Sequence, residues 1–247
     1  MELFFHQKLG FQKGESKMKI IAVVPAYNCE KFIKKVIEDL NNHFVDKILI
    51  IDDGSKDKTA EIARETGTEV ISYRDNKGLG YALRTGFKEA LKRKFDLILT
   101  FDGDGQHLAS DIKKVKIKFD QNPTADIVIG TRIRDRKHWS KFPFHRLWGN
   151  LILTILTNFA CGRRFTTDSQ SGYRAIKREA LKKMQLTSNR MAISSEIIIE
   201  SCKRKLKLIE VSIIPTYGEE ISNQRLIIDS WNIFKMVVCR VFQKRGR

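Results

Sequence analysis

The feature that most limits what this chain can fold into is an alternation. Short apolar, β-branched runs at Ile20–Val24, Lys47–Ile51, Glu69–Ser72, Leu97–Phe101 and Ile127–Ile129 alternate with helix-period stretches near 30–42, 57–66, 79–93 and 109–120. Such runs read as strands buried on both faces, and parallel neighbours need a crossover helix between them. The expectation is an α/β fold, a mainly parallel sheet with helices on both faces. In such sheets ligands bind beyond the carboxyl ends of the strands. The residues that follow each run are therefore where chemistry should be sought.

Those residues are polar. Pro25-Ala26-Tyr27-Asn28 follow the first run, Asp52-Asp53-Gly54-Ser55 the second, and Asp102-Gly103-Asp104-Gly105-Gln106-His107 the fourth. Asp102 and Asp104, two apart on extended chain, share a face and can converge on one cation. Carboxylates, waters and phosphate oxygens are the usual company of Mg²⁺ or Mn²⁺, and Gln106 adds a neutral oxygen. Asp and Gly are equally the residues of a plain polar turn. A calcium-binding EF-hand is excluded, because its loop needs Gly where this sequence has His107. Asp52 and Asp53 suit either the base or ribose of a nucleotide or the cap of a helix starting near Asp57. Asn76-x-Gly78-x-Gly80 lets backbone approach a ligand closely or forms an ordinary turn before a helix. Gly130-Thr131-Arg132 puts Arg132 at the same sheet edge, where an arginine grips a phosphate bidentately.

Composition narrows the partners. Among 247 residues, 46 Lys+Arg against 29 Asp+Glu give a formal charge of +17, which favours anionic partners: nucleic acid, acidic membrane or phosphate-bearing ligands. No RRM, KH or helix-turn-helix signature accompanies the charge, and the acidic strand ends would repel nucleic-acid phosphates. Cys29, Cys161, Cys202 and Cys239 have no CxxC spacing, which argues against a zinc site or disulfide framework and fits a reducing cytosol. No GxSxG elbow is present. Residues 1–17 lack the apolar core of a signal peptide and read as an extension before a strand opening at Met18. Leu147–Cys161 is apolar but interrupted by Asn150, Thr154, Thr157 and Asn158. It is too short to span a bilayer and suits either a core helix or one lying on a lipid surface. A helix near 194–205, a strand at Leu208–Ile214 and a basic amphipathic helix over Arg225–Arg247 complete the reading.

Six segments, taken in order, resemble the family 2 glycosyltransferases of the GT-A fold, and among them the dolichol- and polyprenyl-phosphate mannosyltransferase type. They are VPAYNCE at 24–30, IDDGSKDKT at 51–59, NKGLGYALRTG at 76–86, FDGDGQH at 101–107, IGTR at 129–132 and DSQSGYRAIKR at 168–178. The resemblance implies a GT-A domain over 18–220 that includes an amphipathic acceptor or membrane helix at 143–161; the basic amphipathic helix at 221–247 is read from its own residue pattern. It implies that Pro25, Tyr27, Cys29, Glu30, Ile51 and Asp53, with Asp102, Gly103 and Asp104, bind a GDP- or UDP-sugar. Asp102, Asp104 and Gln106 would hold Mg²⁺ or Mn²⁺. Arg132, Arg146 and Asn150 would hold the phosphate of a polyprenyl or dolichyl acceptor, Asn150 standing where a Ser is frequent. Asp104, Arg132 and Arg146 would carry an inverting transfer of mannose or glucose. A related enzyme with a polysaccharide or other non-lipid acceptor is the alternative, and a nucleic-acid-binding protein the distant one. The enzyme would sit on the cytoplasmic face of an anionic membrane, with a membrane-protein partner or as a homo-oligomer. Two departures stand out. Cys29 occupies a position where Glu is frequent, and Tyr217–Asn223 replaces a loop that often carries Arg and Ser-Lys.

Overall fold

A computed structural model describes residues 18–135, 139 and 142–214. The extension at 1–17, the loop at 217–223 and the helix expected over 221–247 lie outside the described residues. Seven strands form one sheet: β1 (Ile20–Ala26), β2 (Lys47–Asp52), β3 (Glu69–Ser72), β4 (Leu97–Thr100), β5 (Ile127–Thr131), β6 (Arg174–Lys177) and β7 (Leu208–Ser212), in the order β3-β2-β1-β4-β6-β5-β7. Helices α1 (Ile33–Asn41), α2 (Thr59–Glu65), α3 (Leu79–Lys92), α4 (Ile112–Gln121), α5 (Phe144–Cys161), α6 (Arg178–Lys183) and α7 (Ile193–Lys203) fill the connections.

Strands β1, β4 and β5 carry no charged residue because both faces are covered. Ile20, Ala22 and Val24 point one way and pack with Ile33, Val36, Ile37 and Leu40 of α1 and with Ile112, Val115 and Phe119 of α4. Ile21 and Val23 point the other way and pack with Ala82, Leu83 and Phe87 of α3 and with Ile193, Ile197 and Ile198 of α7. A strand repeats its side chains every two residues, which is why alternate positions feed different cores.

The register brings the functional segments to one edge. Ala26 lies beside Asp52 and Val23 beside Thr100, so the residues after β1, β2 and β4 emerge together. The sheet is parallel except at β6, which runs antiparallel between β4 and β5, with Thr100 opposite Arg174 and Ile129 opposite Arg174. Its start, not its end, therefore reaches that edge, carrying Asp168–Tyr173 with it. The apolar run at 147–161 is the greater part of α5, which begins at Phe144 and stops where Gly162 turns left-handed at φ 70°. Its outer side is not polar. Phe144, Trp148, Ile152, Ile155 and Phe159 form an exposed apolar stripe, with Phe144 76 % and Ile155 66 % exposed. No described helix is long and apolar enough to cross a membrane.

Candidate active site

The strand ends enclose a cleft of about 330 Å³. Pro25 in the last residues of β1, Tyr27 just after it, Cys29 in the next turn and Asp53 after β2 line it. Asp102, Gly103, Asp104 and Gln106 after β4, Arg132 after β5 and Arg146 in the first turn of α5 line it too. Three expected residues are absent from the walls. Ile51 is fully buried in the core beneath the cleft. Glu30 turns away, its carboxylate accepting the Lys58 amide at 3.0 Å, so it does not stand in for the missing Glu at position 29. Asn150 lies on α5 one turn beyond Arg146 and does not reach the lining.

The acidic pair is held open toward the cleft. Asp102 Oδ2 lies 2.9 Å from His107 Nε2, and 30 % of the Asp102 side chain stays exposed. Burial pushes the Asp102 carboxyl up, but the hydrogen bond and charge of His107, with Arg132 and Arg174 nearby, hold it below the usual range. It is a carboxylate ready for a cation. Asp104 Oδ1 accepts the Gln106 amide at 3.0 Å, which folds that loop back on itself. The start of β6 supplies a gap: a Cβ on Gly172 would lie 2.5 Å from Asp102 Cγ and closer still to both its oxygens. Only glycine leaves room for that carboxylate. Two carboxylates and an amide oxygen suit a hard divalent ion that keeps positions for water and phosphate oxygens. No group of three or more His, Cys, Asp and Glu gathers for a metal among the described residues. Substrate oxygens would have to complete the shell.

Beneath the basic wall lies a buried ionic cluster. Asp168, fully buried, accepts Arg132 Nε at 2.9 Å, Arg132 Nη2 at 3.0 Å and the Arg132 amide at 3.1 Å. Burial pushes Asp168 up, but Arg132, through charge and hydrogen bonds, and Arg174 hold it below the usual carboxylate range. Arg174, also buried, donates from Nη2 to Ser169 O at 2.8 Å, and burial lowers it to about 10. Arg132 thus faces the cleft with its guanidinium plane fixed from behind by Asp168.

On the other side, Asp53 does not cap a helix. It accepts the Lys77 amide at 2.8 Å, the Gly78 amide at 2.7 Å and Asn76 Nδ2 at 2.9 Å, so it shapes the loop that opens α3. Burial raises its pKa against those amide donors. Cys29 is pushed up to about 12 by burial and is a neutral thiol at physiological pH, unsuited to nucleophilic work.

Sequence reasoning passed over His107, Asp168, Gly172, Arg174 and Arg190 as site residues. Asp168, Gly172 and Arg174 sit in a quoted motif. A polar, glycine-bearing segment between two apolar runs was the signal that they belong to the site.

The glycosyl transferase family 2 model matches residues 21–185. An uncharacterized protein of Methanocaldococcus jannaschii is 41 % identical over 92 % of this chain and 94 % of its own. The UDP-N-acetylglucosamine–dolichyl-phosphate N-acetylglucosaminyltransferase of Methanococcus voltae is 40 % identical over 81 % of this chain and 86 % of its own. Among solved structures, glucosyl-3-phosphoglycerate synthase of Mycobacterium tuberculosis, crystallised with Mn²⁺, UDP and glucosyl-3-phosphoglycerate, superposes with a TM-score of 0.73 at 17 % identity, covering 94 % of this chain and 86 % of that one. The fold is thus that of the GT-A glycosyltransferases, and the chain belongs to glycosyltransferase family 2.

Proposed function

We propose that the cleft moves a sugar from a nucleotide-sugar to a polyprenyl or dolichyl phosphate on the cytoplasmic face of a membrane. The observation that carries this reading is one of placement. An acidic pair, Asp102 and Asp104, and two arginines, Arg132 and Arg146, line one cleft, and Arg146 stands at the head of the helix that bears the exposed apolar stripe. A lipid phosphate has the two matching parts, an anion for the arginines and a chain for the stripe.

The donor lies against Pro25, Tyr27 and Asp53 in this reading. Asp102, Asp104 and Gln106 would hold Mg²⁺ or Mn²⁺, and when bound that ion would supply the positive charge that offsets the diphosphate leaving group. Arg146 and Arg132 orient the acceptor phosphate, whose oxygen attacks the anomeric carbon while the nucleoside diphosphate departs, inverting the configuration. A phosphate is already anionic at neutral pH, so positioning and charge stabilisation do the catalysis and no strong base is needed.

Mannose or glucose is the sugar the family resemblance implies. The 40 %-identical relative makes UDP-N-acetylglucosamine the first donor to test. Purified protein is incubated with UDP-N-acetylglucosamine, UDP-glucose or GDP-mannose, dolichyl phosphate and Mn²⁺ or Mg²⁺, and the glycolipid is resolved by mass spectrometry. The expected result is one lipid-linked sugar, with Asp104→Ala slower by about 10²–10³. Full activity of Asp104→Ala in excess EDTA would sink the mechanism. Transfer to an oligosaccharide but never to a lipid phosphate would favour the non-lipid alternative.

A further inference from the structure

The segment 187–190 is pinned by three separate devices. Glu196 in the first turn of α7 is fully buried and accepts the Thr187 amide at 3.1 Å, Thr187 Oγ1 at 2.8 Å and the Ser188 amide at 2.9 Å. Asn189 O accepts the Tyr81 amide at 2.9 Å, and the Asn189 side-chain oxygen accepts from Arg84 Nη2. The backbone of α3 closes on the segment as well. A Cβ on Gly78, whose φ is 99°, would lie 2.8 Å from Arg190 Cγ, and one on Gly80 would lie 2.9 Å from the Asn189 carbonyl carbon. Burying a carboxylate costs several kcal/mol unless it is well hydrogen-bonded. Such an anchor implies that something on this segment must be held still.

Arg190 is the one charged residue of that segment, and it lines the cleft. Its side chain is exposed. No described residue hydrogen-bonds or ion-pairs with its guanidinium, although its charge is felt by Asp53. A guanidinium fork matches phosphoryl oxygens bidentately, and a cation presented on immobile backbone loses little entropy on binding.

We propose that Arg190 is a donor-binding residue that grips the diphosphate of the nucleotide-sugar. This rests on reading the cleft as a nucleotide-sugar site and names a contact for which the sequence motifs gave no hint. The donor is favoured over the acceptor phosphate by neighbourhood. Arg190 packs on Gly78, whose loop is shaped by Asp53, whereas Arg132 and Arg146 come from β5 and α5.

The test compares Arg190→Ala and Arg190→Lys with the wild-type chain. UDP binding with Mn²⁺ is followed by calorimetry, and KM is measured for donor and acceptor separately. The expected result is a loss of UDP affinity of about tenfold to a hundredfold for Arg190→Ala, with a matching rise in donor KM. The acceptor KM and the melting temperature stay as in wild type, and Arg190→Lys recovers part of the affinity as a point charge without the fork. Unchanged UDP affinity, or a rise confined to the acceptor KM, overturns the proposal. If the wild-type chain binds no nucleoside diphosphate at all, the donor reading of the cleft falls and this inference falls with it.

Discussion

Gly172 shows how much of the site depends on a residue with no chemistry of its own. Its missing Cβ is the space occupied by the Asp102 carboxylate. Gly172→Ala should therefore push that carboxylate aside, and a displacement of about 1 Å at a catalytic group can cost 10²-fold. The expected outcome is a Mn²⁺ requirement for donor binding raised by about tenfold or more. Stability should fall by about 1–3 kcal/mol from overpacking. A Mn²⁺ titration of UDP binding reads the first effect and urea unfolding the second; an unchanged Mn²⁺ requirement would count against the role. Residues such as Asp102 and Asp104 were legible in the sequence because their spacing alone puts them on one face. Gly172 and Asp168 were not, because each acts through a partner brought close only by the fold. Gly172 reaches Asp102 because β6 runs antiparallel beside β4, which no local pattern encodes. Ile51 and Glu30, which do not line the cleft, show the same dependence in reverse. Their positions in a motif are local, but the direction of their side chains is set by the core beneath and by α2 alongside.

At the scale of elements, strands β1 to β5 and β7 and the long helices were readable from periodicity, with ends displaced by a residue or a few. The strand β6 and the short helix α6 were not. Arg174-Ala175-Ile176-Lys177 is four residues with a charge at each end, and its strand character comes from pairing on both sides rather than from intrinsic preference. The edge strand β3 is a different case, tied down by charge. Glu69 accepts Arg93 Nη1 at 2.7 Å and Arg93 Nη2 at 2.5 Å, with Lys47 Nζ at 3.3 Å, so it joins β3 to the end of α3 and to β2. Hydrogen bonds from Arg93, then from Lys47, lower its pKa to about 2 against burial. Because the folded pKa lies below the unfolded value, the stabilisation is present above about pH 4.5 and is lost as pH falls toward 2. The groups are part-exposed, so screening leaves about 1 kcal/mol at most. Glu69→Gln should be less stable than wild type by that amount at pH 7. The gap in urea midpoints should narrow steadily at pH 4 and pH 3. A gap that is constant across that range would show that the ion pair contributes nothing.

Across the whole molecule, two surface properties converge. The chain carries a formal charge of +17, and α5 presents Phe144, Trp148, Ile152, Ile155 and Phe159 to the outside while its other side packs on the core. The spacing of the stripe runs the length of the helix, so the apolar residues form one line rather than scattered exposures. A soluble monomer rarely leaves such a line uncovered. An anionic bilayer answers both properties, since basic residues near its surface add about 1 kcal/mol each and apolar side chains enter the headgroup boundary. The two contributions are separable. The electrostatic one weakens as the screening length shrinks from about 10 Å at 0.1 M salt to about 3 Å at 1 M, and the apolar one does not. In co-sedimentation, the protein should bind phosphatidylglycerol vesicles at low salt and phosphatidylcholine vesicles weakly. Raising salt should remove most of the difference between the two lipids. Replacing Trp148 and Ile155 with Ser should lower binding to both vesicle types by about tenfold, while UDP binding stays unchanged because neither residue lines the cleft. If that double variant sediments with vesicles as the wild type does, the stripe serves some other contact. The lipid half of the proposed acceptor would then lose its structural support.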